Sequence, residues 1–162
     1  MMTTVDSQQF SQWMRELRGP LVLFARQWNH DDAEDVVQEA FFALVRQIRR
    51  HGVPENVPAW LFKVVRTAIL ENHRADSRRK NREEKIAQDR QAWFCPNLEA
   101  ELDSQYAANL LGELPLQQRE IVAARIWGTL SFDEIAGLLN LPKTSVFRQY
   151  TEALQTLREK MS

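Results

Sequence analysis

The side chains best suited to chemistry in this chain of 162 residues act by charge and shape rather than by making or breaking bonds. Asp31, Asp32, Glu34, Asp35, Gln38 and Glu39 cluster tightly, with no basic residue until Arg46. Such a face suits a basic protein surface. Acids in a first turn also favour the positive end of a helix macrodipole, so a well-started surface helix is the plainer reading. Downstream, Arg74, Arg78, Arg79, Lys80 and Arg82 stand against the single acid Asp76 within residues 72–82. Cations at that density hold phosphates, and guanidinium planes stack on bases; a solvated basic run is the alternative. No Ser–His, Cys–His, paired-carboxylate or glycine-rich phosphate-loop arrangement stands out, which makes an enzyme the least expected class. Three scattered histidines and the lone Cys95 offer no ligand pair at helical spacing, so neither metal nor cofactor is expected.

These groups need helices to position them. Ala33, Val36, Val37, Ala40, Phe41, Leu44, Val45 and Ile48 recur at three- and four-residue steps, the apolar stripe of a buried helix, which His51-Gly52 should end. Before it, Phe10, Trp13, Met14 and Leu17 form a stripe expected to stop at Gly19-Pro20, followed by a short second helix through Leu21, Phe24, Ala25 and Trp28. Asn29 to Asp32 supply capping candidates for the acidic helix, and Asn56 is a good N-cap two residues before Pro58. The helix it starts turns Leu61, Val64, Val65, Ala68 and Ile69 inward and runs into the arginine cluster. Its polar members, with Trp60, lie along the remaining faces, although a core role is the better reading of Trp60 itself.

The pattern weakens between residues 85 and 98, where Trp93-Phe94-Cys95-Pro96-Asn97 breaks helix. A free tether rarely carries an adjacent Trp and Phe, so packing back onto a domain is the simpler account of that pair. Leu102, Tyr106, Leu110 and Leu111 then share a face, and a helix after Leu114-Pro115 carries Ile121, Val122 and Ala124 and stops near Gly128. Ser131 with Glu134 reads as a capping box. Helix 132–139, the short turn Asn140-Leu141 with Pro142, and a final helix from Lys143 to about Lys160 make a helix-turn-helix, with Val146, Tyr150, Ala153, Leu154 and Leu157 inward. Such pairs also occur in helical bundles that never touch DNA. The expectation is an all-α chain: a first domain over residues 8–85, a linker over 86–97 and a helix-turn-helix domain over 98–160.

Three segments, in one order, carry a family resemblance. Ala33-Glu34-Asp35-Val36-Val37-Gln38-Glu39 resembles the AEDLVQE-type segment of bacterial sigma factors, specifically the compact extracytoplasmic-function (ECF) group. Ala59-Trp60-Leu61-Phe62-Lys63-Val64-Val65-Arg66 looks like that group's promoter-melting helix. Leu114-Pro115-Leu116-Gln117-Gln118-Arg119-Glu120, followed by Ser131-Phe132-Asp133-Glu134-Ile135-Ala136, looks like its C-terminal helix-turn-helix. The resemblance covers residues 10–158 and implies a sigma region 2-like domain, then a region 4-like domain. It implies core RNA polymerase and promoter DNA as partners, with room for an anti-sigma factor. By the same resemblance Asp32, Glu34, Asp35, Gln38 and Glu39 would contact the polymerase. Trp60, Lys63, Arg66, Thr67, Asn72, Arg74, Arg78 and Arg79 would handle melted DNA. Lys143, Thr144, Ser145, Phe147, Arg148 and Gln149 would read the upstream promoter element.

The chain departs from the family pattern in places. Thr67 stands where many members have an asparagine, and it offers no amide for paired recognition of adenine. The familiar gly-thr-val-lys-ser-arg of the recognition helix is here Thr144-Ser145-Val146-Phe147-Arg148-Gln149, with Glu152 at a later arginine position. These changes point either to an unusual promoter or to a second domain with altered binding. The resemblance implies a promoter-specificity subunit; a sigma-like DNA-binding regulator and a helical adaptor are the alternatives.

Composition agrees with a folded protein: 44% hydrophobic and 27% charged residues are ordinary for a globular chain. The net charge of −1 conceals an acidic segment and a basic one. A single cysteine fits a reducing compartment. With neither a signal-peptide start nor an apolar run of about 18 residues, a cytoplasmic protein without membrane insertion is expected.

Overall fold

A computed structural model describes residues 7–28, 31–79 and 109–161. Three helices form the first half: α1 (Ser7–Arg26), α2 (Ala33–His51) and α3 (Val57–Arg79). In the second half α4 (Leu116–Val122) runs into a π turn (Ala123–Trp127), followed by α5 (Phe132–Leu139) and α6 (Lys143–Met161). No strand occurs among the described residues, and none of their helices is long and apolar enough to cross a membrane. The region expected to hold the linker, including Trp93, Phe94 and Cys95, lies outside the described residues.

The expected break at Gly19-Pro20 does not occur: α1 is continuous, with Pro20 inside it. An interior proline removes a backbone hydrogen bond and crowds the preceding turn, at a cost of about 3 kcal/mol. Beyond it every residue from Leu21 to Ala25 is buried, and each large apolar side chain so covered returns about 1.5–3 kcal/mol. Packing wins. Gly19 assists, because the proline ring meets no Cβ on the residue before it.

The other helix ends follow local chemistry. Gly52 closes α2 with φ +92°, its N–H reaching the Ile48 carbonyl at 3.1 Å. Asp32 occupies the N-cap of α2 without a side-chain capping bond. The Asn56 side-chain oxygen accepts the Ala59 N–H at 3.1 Å and opens α3. Ser131 and Glu134 form the expected reciprocal capping box of α5. Asn140 ends α5 in the left-handed region, φ 58° and ψ 49°, and the carbonyl of Pro142 receives the first bonds of α6 from Ser145 and Val146.

The larger of two apolar clusters among the described residues runs through both halves. Phe24, Val37, Leu44, Leu61, Phe62, Val65 and Ile69 from the first half join Ile121, Ala124, Leu130, Ile135 and Val146 from the second. Leu23 on the far side of α1 packs instead with Leu111, Leu114, Val122 and Ala153. The buried end of α1 is therefore a post against which both halves lean. The Phe62 ring meets Phe24 edge-on at 5.1 Å and presses against Gly128, where a Cβ would stand 2.6 Å from its Cζ.

Candidate functional site

Three surfaces carry the residues that the sequence singled out. On α2 the apolar stripe is buried, which leaves Asp35, Gln38 and Glu39 exposed, with Asp32 and Glu34 half-buried beside them. Glu34 meets Arg18 at 3.5 Å; both side chains keep about two-fifths of their surface in solvent (41% and 43%), so the pair adds little stability. Phe42 stands 50% exposed, three and four residues beyond Glu39 and Gln38 on the same face. Sequence reading passed over Phe42, although it falls off the buried stripe that holds Phe41, and that was the available signal. An acidic rim around an exposed aromatic ring suits a basic, partly apolar protein surface.

On α3, Lys63, Thr67, Glu71 and Arg74 form the exposed stripe. Glu71 had not been singled out, and it dilutes the positive charge there. Trp60 is half-buried against the core, and Asn72 is also half-buried. Arg78 and Arg79 belong to the last turn of α3, but their side chains are outside the described residues.

Arg66 lies off this stripe. Its Nε donates to Glu120 Oε2 at 3.0 Å, and the Trp28 indole N–H donates to the same oxygen at 2.8 Å. Glu120 is 2% exposed and the Arg66 side chain 19%. Sequence spacing offered no sign of this pair, because its members are 54 residues apart. Arg119 stands next to the carboxylate. Partial burial pulls its guanidinium below the ordinary value and the Glu120 charge opposes that pull; an arginine remains charged near neutrality all the same.

On the helix-turn-helix, Lys143, Thr144, Phe147 and Arg148 are exposed, while Ser145 and Gln149 are half-buried. The Gln149 amide donates to Gln117 Oε1 at 2.8 Å and lies 3.4 Å from Ser145 Oγ. Lys143 makes an exposed ion pair with Asp133 at 3.4 Å. Phe147 is 56% exposed, yet its ring is held edge-on to Phe132 at 5.4 Å. Phe132 in turn touches Tyr150 at 5.2 Å and carries the Arg125 guanidinium 4.5 Å above its face. This braces an apolar side chain on the outer face of a recognition-type helix, where it can meet a thymine methyl.

Comparison with known proteins agrees with this geometry. The model of sigma-70 region 2 matches residues 13–79, and that of sigma-70 region 4 matches residues 104–157. The chain is 28% identical over 132 residues to the RNA polymerase sigma factor SigV of Bacillus subtilis (strain 168), covering 80% of this chain and 76% of that one. The fold is similar to the sigma factor RpoE solved in complex with the anti-sigma factor NepR from Bartonella quintana. There the TM-score is 0.74 at 22% identity, over 94% of this chain and 96% of the other. It is also similar to CnrH in complex with the cytosolic domain of CnrY, with a TM-score of 0.62 at 21% identity over 96% of this chain and 89% of the other.

Proposed function

Because the chain belongs to the sigma-70 family, in its extracytoplasmic-function group, we propose that it joins core RNA polymerase, directs it to specific promoters and helps to open them, acting in the cytoplasm and by binding alone. The observation that carries this reading is the presence of region 2 followed by region 4 in one chain. A DNA-binding regulator would need the helix-turn-helix but not the exposed acidic face of α2, so the initiating role is favoured over the alternatives.

The roles divide by surface. Asp35, Gln38 and Glu39, with Asp32 and Glu34 at their edge and Phe42 among them, form the polymerase-docking face. Lys63, Thr67 and Arg74, with Trp60 and Asn72 beside them and Arg78 and Arg79 at the helix end, receive melted DNA; Arg66 joins them once Glu120 releases it. Lys143, Thr144, Ser145, Phe147, Arg148 and Gln149 read the upstream element. The boundaries at 8–85, 86–97 and 98–160 describe the units of function. RpoE and CnrH were each solved with a protein partner, NepR and CnrY, and a comparable anti-sigma factor is the partner class to expect here.

Transcription in vitro tests the reading. Purified core polymerase on a fragmented bacterial genome should give discrete 5′ ends only when the chain is added. Start sites that do not depend on the chain would reject an initiating role. A promoter consensus aligned from the dependent starts would identify both elements.

A further inference from the structure

Glu120 is the buried carboxylate on which the two halves meet. One of its oxygens accepts from Arg66 on α3 at 3.0 Å and from Trp28, just beyond α1, at 2.8 Å. Two further ties flank it. The Asn56 amide at the start of α3 donates to Glu134 of the α5 capping box, and Gly128 receives the edge of the Phe62 ring. The second half is thus tied to α3 along its length, from Asn56 at its start to Arg66 in its third turn.

We propose that Glu120 is a phosphate stand-in: in the closed chain it occupies Arg66, and DNA must displace it to recruit that guanidinium. The inference rests on α3 being the DNA-melting helix. Guanidinium groups bind carboxylate and phosphate through the same directed N–H groups, so one partner can replace the other. Breaking a buried pair without replacement leaves a charge uncompensated and is strongly unfavourable. Opening hydrates both groups but gives up the Arg66 and Trp28 bonds to Glu120 together with the apolar contact of the halves, and phosphate offsets that loss by taking Arg66 while water takes Glu120. DNA binding and closure compete for one side chain, so each weakens the other by the same factor. Closure withholds Arg66 from DNA while Lys63, Thr67 and Arg74 stay exposed, and any partner that holds the halves apart strengthens DNA binding by freeing it.

The test uses the full chain with a label pair at Arg46→Cys on α2 and Thr151→Cys on α6, Cys95 being replaced by serine. Pulsed electron spin measurements give the distance between the halves, and fluorescence anisotropy gives affinity for a mixed-sequence single-stranded DNA. Glu120→Gln should lengthen the label distance and tighten DNA binding about tenfold or more, because affinity scales with the fraction of binding-competent chain. Glu113→Gln, on an exposed ion pair with Lys160, makes the same charge change away from the contact and should do neither. If Glu120→Gln loses helicity, Arg66→Gln breaks the pair from its other side and must also separate the labels. An unchanged distance, or DNA binding no tighter than that of Glu113→Gln, overturns the proposal. Arg74→Ala distinguishes the causes of failure. If Arg74→Ala weakens DNA binding while Glu120→Gln changes nothing, the stand-in is wrong and α3 remains the DNA helix. If neither variant affects DNA, the reading of α3 has failed and takes the proposal with it.

Discussion

Arg148 and Arg74 are exposed cations on different helices, and exposure lets their contributions be told apart. An arginine that pairs with the two acceptors of guanine adds about 1–3 kcal/mol of discrimination at one base. Arg148→Ala should therefore relax preference at a single promoter position in binding-site selection, and weakening spread evenly over all sequences would reduce Arg148 to a phosphate contact. Arg74→Ala should instead weaken every sequence alike and lower the salt dependence of binding by roughly one unit of logarithmic slope. Exposure of this kind was partly legible from sequence. The alternation that buries Val36, Val37, Ala40 and Phe41 necessarily exposes Asp35, Gln38 and Glu39, and α2 has these faces. Arg66 was not legible in the same way. Its spacing allowed a place beside the exposed Lys63 and Thr67, whereas its partner Glu120 comes from a helix far along the chain. Gln149 raises the same difficulty, since Gln117 already holds its amide; reading an adenine would require that bond to be exchanged.

At the scale of elements, sequence reading succeeded where a helix end is built from its own neighbours. The Ser131–Glu134 box, Gly52 and Asn56 all act locally, and each stands where its chemistry requires. It failed at Pro20, where burial gathered from other helices overrides the local penalty. Ser131→Ala should cost about 0.5–2 kcal/mol in chemical denaturation, the usual range for a lost N-cap. A change near zero would mean that the amide of Glu134 finds water as readily. On α2, Asp35→Lys together with Glu39→Lys should reduce capture of core polymerase while leaving circular dichroism unaltered, because both side chains face solvent. Loss of helicity in that variant would make them structural. Phe42→Ala should weaken capture as well, since an aromatic ring within a charged rim is a frequent hot spot of binding energy.

For the whole molecule, the decisive fact is that the larger apolar cluster passes through both halves. Composition and periodicity located two helical units but carried no information on how they meet, because that depends on contacts such as Phe62 with Gly128 and Arg66 with Glu120. The chain should consequently unfold in one thermal transition, with circular dichroism and tryptophan fluorescence coincident. Two separated transitions would show that the contact between halves is weaker than their own cores. Proteolysis should first cut within residues 85–98, and the fragments should then elute together in gel filtration for as long as the halves remain closed.

The meeting of Phe62 and Gly128 has a practical consequence. A benzene ring shifts the magnetic resonance of protons held against its edge or face, and here the protons that replace a Cβ lie beside Cζ and Cε2 of that ring. The chain has only five glycines, whose α carbons and their protons fall in a sparse part of a carbon–proton spectrum. The Gly128 signal should sit away from its neighbours in the free protein and return toward them when polymerase or DNA draws the halves apart. The molecule thus carries a native, label-free gauge of its own opening, readable at one peak.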